Sequence, residues 1–221
     1  MFALQAHSLK LLLSFITKIT IMKRVLIILI ILPLVSFSQI QVDENNNIFF
    51  EQVYEINLSK EEIKSNVNEW MATNFNDANN VIKMNTSDKI IAKGLFLIPN
   101  VYKGYTSNLE IHYDLITDFK EDRYKVLIQN LEITNIYGGD MPISKDFMSM
   151  DEYKLYSLKV ANKMSTTKAM KKIMESDKYL ELYNQSKEMY SKNLQDIEIR
   201  LVGIAGDINK TVHSNLEKSD W

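Results

Sequence analysis

The chain of 221 residues contains no cysteine. That excludes disulfide frameworks, Cys-ligated zinc, iron–sulfur clusters and cysteine nucleophiles, and with them the cysteine-linked anchor of bacterial lipoproteins. Glycine and proline are scarce, at 6 and 3 residues, so long disordered or collagen-like stretches are not expected. The glycines build no phosphate loop, because Gly138-Gly139 is not followed by Lys-Ser/Thr. No Gly-x-Ser-x-Gly turn presents a nucleophilic serine. With 3 histidines, His7, His112 and His213, widely separated, no metal and no cofactor is expected. What remains is ordinary globular composition, 46% hydrophobic and 24% charged, enough for one domain with a sizeable core.

The net charge of −2 hides an asymmetry. Residues 1–38 carry Lys10, Lys18, Lys23 and Arg24 and no acid; without those 4, the 26 basic residues become 22 against 28 acidic ones, a net of −6. A domain so balanced lacks the basic stripe that displaces counterions from phosphates, so no nucleic-acid partner is expected.

From Met22 the sequence reads MKRVLIILIILPLVSFSQ. Lys23 and Arg24 form a basic start, Val25–Val35 an apolar run, and Ser36 and Ser38 small residues at signal-peptidase spacing. This layout predicts a signal peptide over 1–38, initiated at Met22, and cleavage after Ser38 to give an exported chain, periplasmic or secreted, starting at Gln39. The alternative is a retained anchor. Val25–Val35 is too short to span about 30 Å of hydrocarbon; residues 11–37 together could span, at the cost of burying Lys18, Lys23 and Arg24. Membrane contact is expected only through this segment, if it is uncleaved.

The polar leader 39–47 precedes Ile48–Leu58, whose aromatic and β-branched residues predict a strand. Ser59-Lys-Glu-Glu62 has the form of a capping box. Ile63, Val67, Trp70, Met71 and Phe75 follow at helical spacing, predicting a helix over Lys60–Asn74 and core roles for Trp70 and Met71. Four more strands are expected: Val81–Asn85, Lys89–Ile98, Asn108–Phe119 and Arg123–Ile136, with a loop over Asn100–Ser107. The last strand should bulge near Gln129, where its apolar positions change face. Gly138–Pro142 should end the sheet. Lys145–Met174 predicts a short helix and a mobile connection. From Lys178 a long helix is expected, with Leu194, Ile197, Leu201, Ile204, Ala205, Ile208 and Val212 in one stripe. The fold class is α+β: residues 48–221 form a single domain, a mostly antiparallel sheet with helices on one face and a helical C-terminal region, 145–221.

Several features in order resemble a known family: a signal ending in Ser-Gln, an aromatic strand running into Leu58-Ser59, the helix bearing Trp70, the Lys93-Gly94 strand, and the hairpin Lys120-Glu-Asp-Arg-Tyr124. Over roughly Phe50–Ile136 the chain is similar to a family of bacterial exported proteins, domain of unknown function 4468, with a TATA-box-binding-protein-like (TBP-like) fold. The resemblance implies a β-α-β-β-β-β-α order and an exported location. It brings no catalytic residues.

Alternation over Asn108–Phe119 places Leu109, Ile111, Tyr113 and Leu115 on one face and Glu110, His112 and Asp114 on the other. Two carboxylates flanking an imidazole can bind a divalent metal or orient a general base, but one strand spaces them roughly 6–7 Å apart. A solvated sheet face accounts for them better. With Lys93, and with Glu51 and Glu55, they form an open face available to a small ligand or to another envelope protein, and a non-enzymatic binding module is the expected function. The alternative is a hydrolase centred on His112, which requires a pocket bringing it polar groups from other strands. Two further surfaces stand out. Lys168-Ala-Met-Lys-Lys172 is a small basic cluster, read as a solvated helix face. Tyr153, Tyr156, Tyr179, Tyr183 and Tyr190 suggest a contact surface.

Overall fold

The structure, a computed structural model, describes residues 40–75, 77–102, 105–134 and 141–214. They fall within one compact unit, Ser38–Trp221. Residues 1–38, over which a signal peptide is expected, and Ile136, Gly138 and Gly139 lie outside the described residues.

The chain opens with a two-residue strand, β1 (Gln41–Val42), and β2 (Ile48–Glu55). Helix α1 (Lys60–Asn74) follows. Ser59 and Glu62 close the capping box reciprocally, each side chain satisfying the other's backbone amide. The predicted residues Ile63, Val67, Trp70 and Met71 are buried, each worth about 1.5–3 kcal/mol of transfer free energy. A single helical turn, α2 (Ala78–Val81), takes Val81 out of the strand expected over Val81–Asn85, which starts one residue later as β3 (Ile82–Asn85).

Strands β4 (Lys89–Tyr102), β5 (Tyr105–Lys120) and β6 (Arg123–Thr134) form two long hairpins. The loop expected over Asn100–Ser107 is therefore mostly strand, because pairing continues from Asn100↔Ser107 to Tyr102↔Tyr105. Strand β7 (Met141–Pro142) pairs with Ile133 and Glu132 of β6. The cluster expected to end the sheet thus contributes its last two residues to it. All pairings are antiparallel, in the order β1-β2-β6-β5-β4-β3, with β7 beside β6.

Three helices follow: α3 (Met150–Lys163), α4 (Thr167–Met174) and α5 (Lys178–Ser214). The mobile connection expected before Met174 is a second helix, α4. Helix α5, 37 residues, is about 55 Å long. Its C-terminal half lays Ile197, Leu201, Ala205, Ile208 and Val212 on the sheet beside α1, as the stripe predicts. Its N-terminal half is held differently. Phe147 sits between Tyr153, Tyr183 and Tyr190, with ring centroids 5.3–5.6 Å apart. The Tyr183 and Tyr190 hydroxyls donate to the carbonyls of Met148 and Ser144, and Tyr179 is buried. Tyr153, Tyr183 and Tyr190, of the tyrosines in which the sequence suggested a contact surface, thus pack half-buried around Phe147.

Candidate binding face

Strand alternation makes the sheet two-faced. Toward α1 and α5 point Phe50 and Tyr54 of β2, Ile90, Ala92, Phe96 and Ile98 of β4, Ile111, Tyr113, Leu115 and Phe119 of β5, and Tyr124, Val126 and Ile128 of β6. No side chain fits at Gly94 on that face: a Cβ there would lie 2.0 Å from the Tyr113 ring, which crosses the strand over it. Burial pushes the Tyr113 hydroxyl up to about 12. It raises Tyr124 further, with the field of Tyr54 adding to it; Tyr124 donates to Asn209 of α5 at 2.9 Å.

Register sets the opposite face out in rungs. One rung runs Lys89, Asp118, Lys125, Val53 and the next Ile91, Ile116, Leu127, Glu51. Lys125 Nζ lies 3.2 Å from Glu51 and 3.6 Å from Asp118, and Lys89 lies 3.1 Å from Asp118. Burial opposes the charge of Lys125, but its hydrogen bond to Glu51 and the fields of Glu51 and Asp118 outweigh that and hold its pKa above the ordinary lysine value. Such exposed pairs contribute about 0–1 kcal/mol each and chiefly fix side-chain positions.

The third rung is where the face becomes concave. Between His112 and Asp114 the β5–β6 register shifts, and Asn130 takes a left-handed backbone (φ 53°), as an extra residue in a bulge does. Its side chain reaches back, Nδ2 donating to Asp114 Oδ2 at 2.8 Å. Asp114 also lies 3.8 Å from Lys93 Nζ. A recess of about 310 Å³ opens there, lined by Lys93, Gly94, His112, Tyr113, Asp114, Asn130 and Glu132. A second recess of about 370 Å³ shares Asn130 and Glu132 and continues past Phe49 and Glu51 to Asp43 and Asn47. The Asp43 carboxylate accepts backbone amides from Asn47 and Asn45. The Asn47 amide is the larger cause, and together they hold its pKa below the ordinary value.

The residues expected on the open face are therefore on it, and three of the four leading ones, Lys93, His112 and Asp114, meet in one recess. Glu110 stands one rung away, between Leu97 and Thr134, outside the recess lining. Glu51 is ion-paired with Lys125, and Glu55 is exposed opposite Arg123. Asn130 and Glu132 are the additions. Continuing the register outward from Lys120↔Arg123 would set Leu131 opposite His112; the bulge replaces it with Glu132. The change of face among the apolar residues of β6 was the signal. Among the described residues no cluster of three metal-ligating side chains occurs, and no helix is long and apolar enough to cross a membrane.

Residues 49–134, which hold β2 to β6 and α1, match the family model described as a domain of unknown function (DUF4468) with TBP-like fold. Among solved structures, a DUF4468 family protein from Bacteroides ovatus is 15% identical, with a TM-score of 0.38, over 45% of this chain and 63% of that one. This chain thus spans under two thirds of that protein's length. A TBP-like protein from Parabacteroides distasonis is 12% identical, with a TM-score of 0.41, over 67% of this chain and 94% of that one. No curated protein matches. Over residues 49–134 the chain is thus similar to the DUF4468 family, an α+β, TBP-like fold, and a helical C-terminal region follows.

Proposed function

We propose that this protein is an exported cell-envelope component that binds a small polar ligand or another envelope protein through the open face of its sheet. The observation that carries the reading is the recess at the β6 bulge. Lys93 from β4, His112 and Asp114 from β5, and Asn130 and Glu132 from β6 converge there on a face no helix covers among the described residues. Charges of both signs on three fixed strands suit recognition of a ligand carrying donors and acceptors. Export is supported by the order of basic, apolar and small residues over Met22–Ser38.

The hydrolase reading shares this recess, since His112 meets polar groups from two other strands. A general base, however, needs a partner that orients its ring. Among the described residues Asp114 is engaged with Asn130 and Lys93 instead, which favours binding over catalysis.

The experiment is the intact mass of the protein from its native envelope fraction, taken beside that of the His112→Ala variant under non-denaturing conditions. A chain starting at Gln39 with a co-purifying mass lost in His112→Ala supports the reading. A chain retaining residues 22–38 makes it a tethered protein instead. Equal co-purification with both chains removes the recess as the binding site.

A further inference from the structure

We propose that the outer edge of β4, with the flank of α5 beside it, is the contact between two copies of this chain related by a two-fold axis. Strand β3 pairs with β4 only as far as Ala92, while β4 continues to Tyr102. On one side of β4, Phe119 donates its N–H to the carbonyl of Asp88; on the other, Thr86 donates to the carbonyl of Lys89. Since the β4–β5 register is unbroken from Lys89 to Tyr102, this alternation persists along the strand. Lys93, Leu95 and Leu97 therefore turn their backbone groups outward, where no strand is paired among the described residues. Pro99 belongs to the same outward set and has no N–H to give. The free edge is a short window, closed by β3 at one end and by Pro99 at the other.

That window is self-complementary. An antiparallel copy with its axis at Phe96 sets Leu95 opposite Leu97 of the second copy, and Leu97 opposite its Leu95. Both are exposed, 49% and 45%, although they sit on the same face as the charged rungs. Pro99 limits how far the pairing runs along the strand, and a two-fold pair uses the edge of each copy once, so the sheet closes at two copies.

The helix repeats the symmetry. A groove of about 360 Å³ runs along the β4 edge, walled by Leu97, Ile98 and Pro99 on one side and by Asp196, Ile199, Arg200, Gly203, Ile204 and Asp207 on the other. Ile199 is 70% exposed, and a Cβ built on Gly203 meets nothing within 4 Å, so a second backbone can approach there. Arg200 lies three residues before Gly203 and Asp207 four after it. Two such helices crossing antiparallel at Gly203 bring each Arg200 against the other copy's Asp207. Opposite charges placed about one point on one helix favour a second copy of this chain over an unrelated strand.

Sedimentation velocity of the purified protein, from micromolar to submillimolar, tests this. A reversible dimer is expected. Leu97→Lys should abolish it, and Arg200→Asp should weaken it about tenfold. The double variant Arg200→Asp with Asp207→Arg should restore it. Both sites are on the surface, so at concentrations low enough for the parent to be monomeric the thermal melts should coincide, which separates lost association from lost folding. A monomer at every concentration overturns the proposal, as does a dimer indifferent to Leu97→Lys or a charge swap that fails to restore association.

Discussion

Lys93 and Gly94 are neighbours in β4, yet they lie on opposite faces of the sheet and under opposite constraints. Gly94 faces the helices, where the Tyr113 ring occupies the space a side chain would need. Lys93 faces outward over a recess, 3.8 Å from one carboxylate and largely solvated. The same contrast holds along β5. Ile111, Tyr113, Leu115 and Phe119 are buried between sheet and helices, whereas His112 lies exposed and Asp114 and Asp118 half-exposed. Packing density governs the first set, where one methyl group matters. The second set is held by register and exposed ion pairs, so its identities are free to answer to a ligand.

Substitutions at adjacent positions should separate the two regimes. The largest effect is expected for Gly94→Ala, which sets a methyl group against Tyr113: a loss of about 3 kcal/mol or more in urea unfolding, while Lys93→Ala stays within about 0.5 kcal/mol. Equal losses at the two positions would erase the distinction.

Alkaline pH should weaken the covered face most, since the exposed pairs of Lys125 on the open face contribute little. A phenol with a raised folded-state pKa stays protonated while its unfolded counterpart ionises, so stability is intact below the unfolded pKa near 10 and falls as pH rises toward the folded value. For Tyr113 that window is 10 to about 12, and Tyr124 extends it upward. Ultraviolet titration should show these phenols ionising late, together with loss of tertiary structure.

A smaller gain tests the covered face from the other direction. Thr117 is fully buried, and its hydroxyl has no hydrogen-bond partner among the described residues. Thr117→Val should raise stability by about 1 kcal/mol, removing an unsatisfied polar group at similar volume. The smallest stability change is expected at His112→Ala, within about 0.5 kcal/mol, although it should abolish ligand retention.

Much of this contrast was legible in the sequence. The capping box at Ser59 marked α1 over the residues the structure shows, Lys60–Asn74, because a reciprocal side-chain pair fixes a helix start locally. Alternation assigned both faces of β5, and the change of face in β6 revealed the bulge. Elsewhere the same signals were present but unweighed. Ser149 and Glu152 form a second capping box that starts α3. The tyrosines of the last helices carried no periodic sign of their partner, because the residue that gathers them, Phe147, precedes those helices. Glu132 entered the recess only through the bulge, whose position shifts every later register by one. The free edge of β4 depends on where β3 stops, a tertiary fact with no local pattern.

The central claim is that the recess at the bulge is occupied in the cell. The direct measurement places a photo-cross-linking side chain at Glu132 and, as a control of similar exposure outside the recess, at Glu55, and irradiates native cells. The account predicts a discrete adduct in the envelope fraction from position 132, absent from position 55 and lost when His112→Ala is added. Identical adducts from both positions, or none from 132, would contradict it.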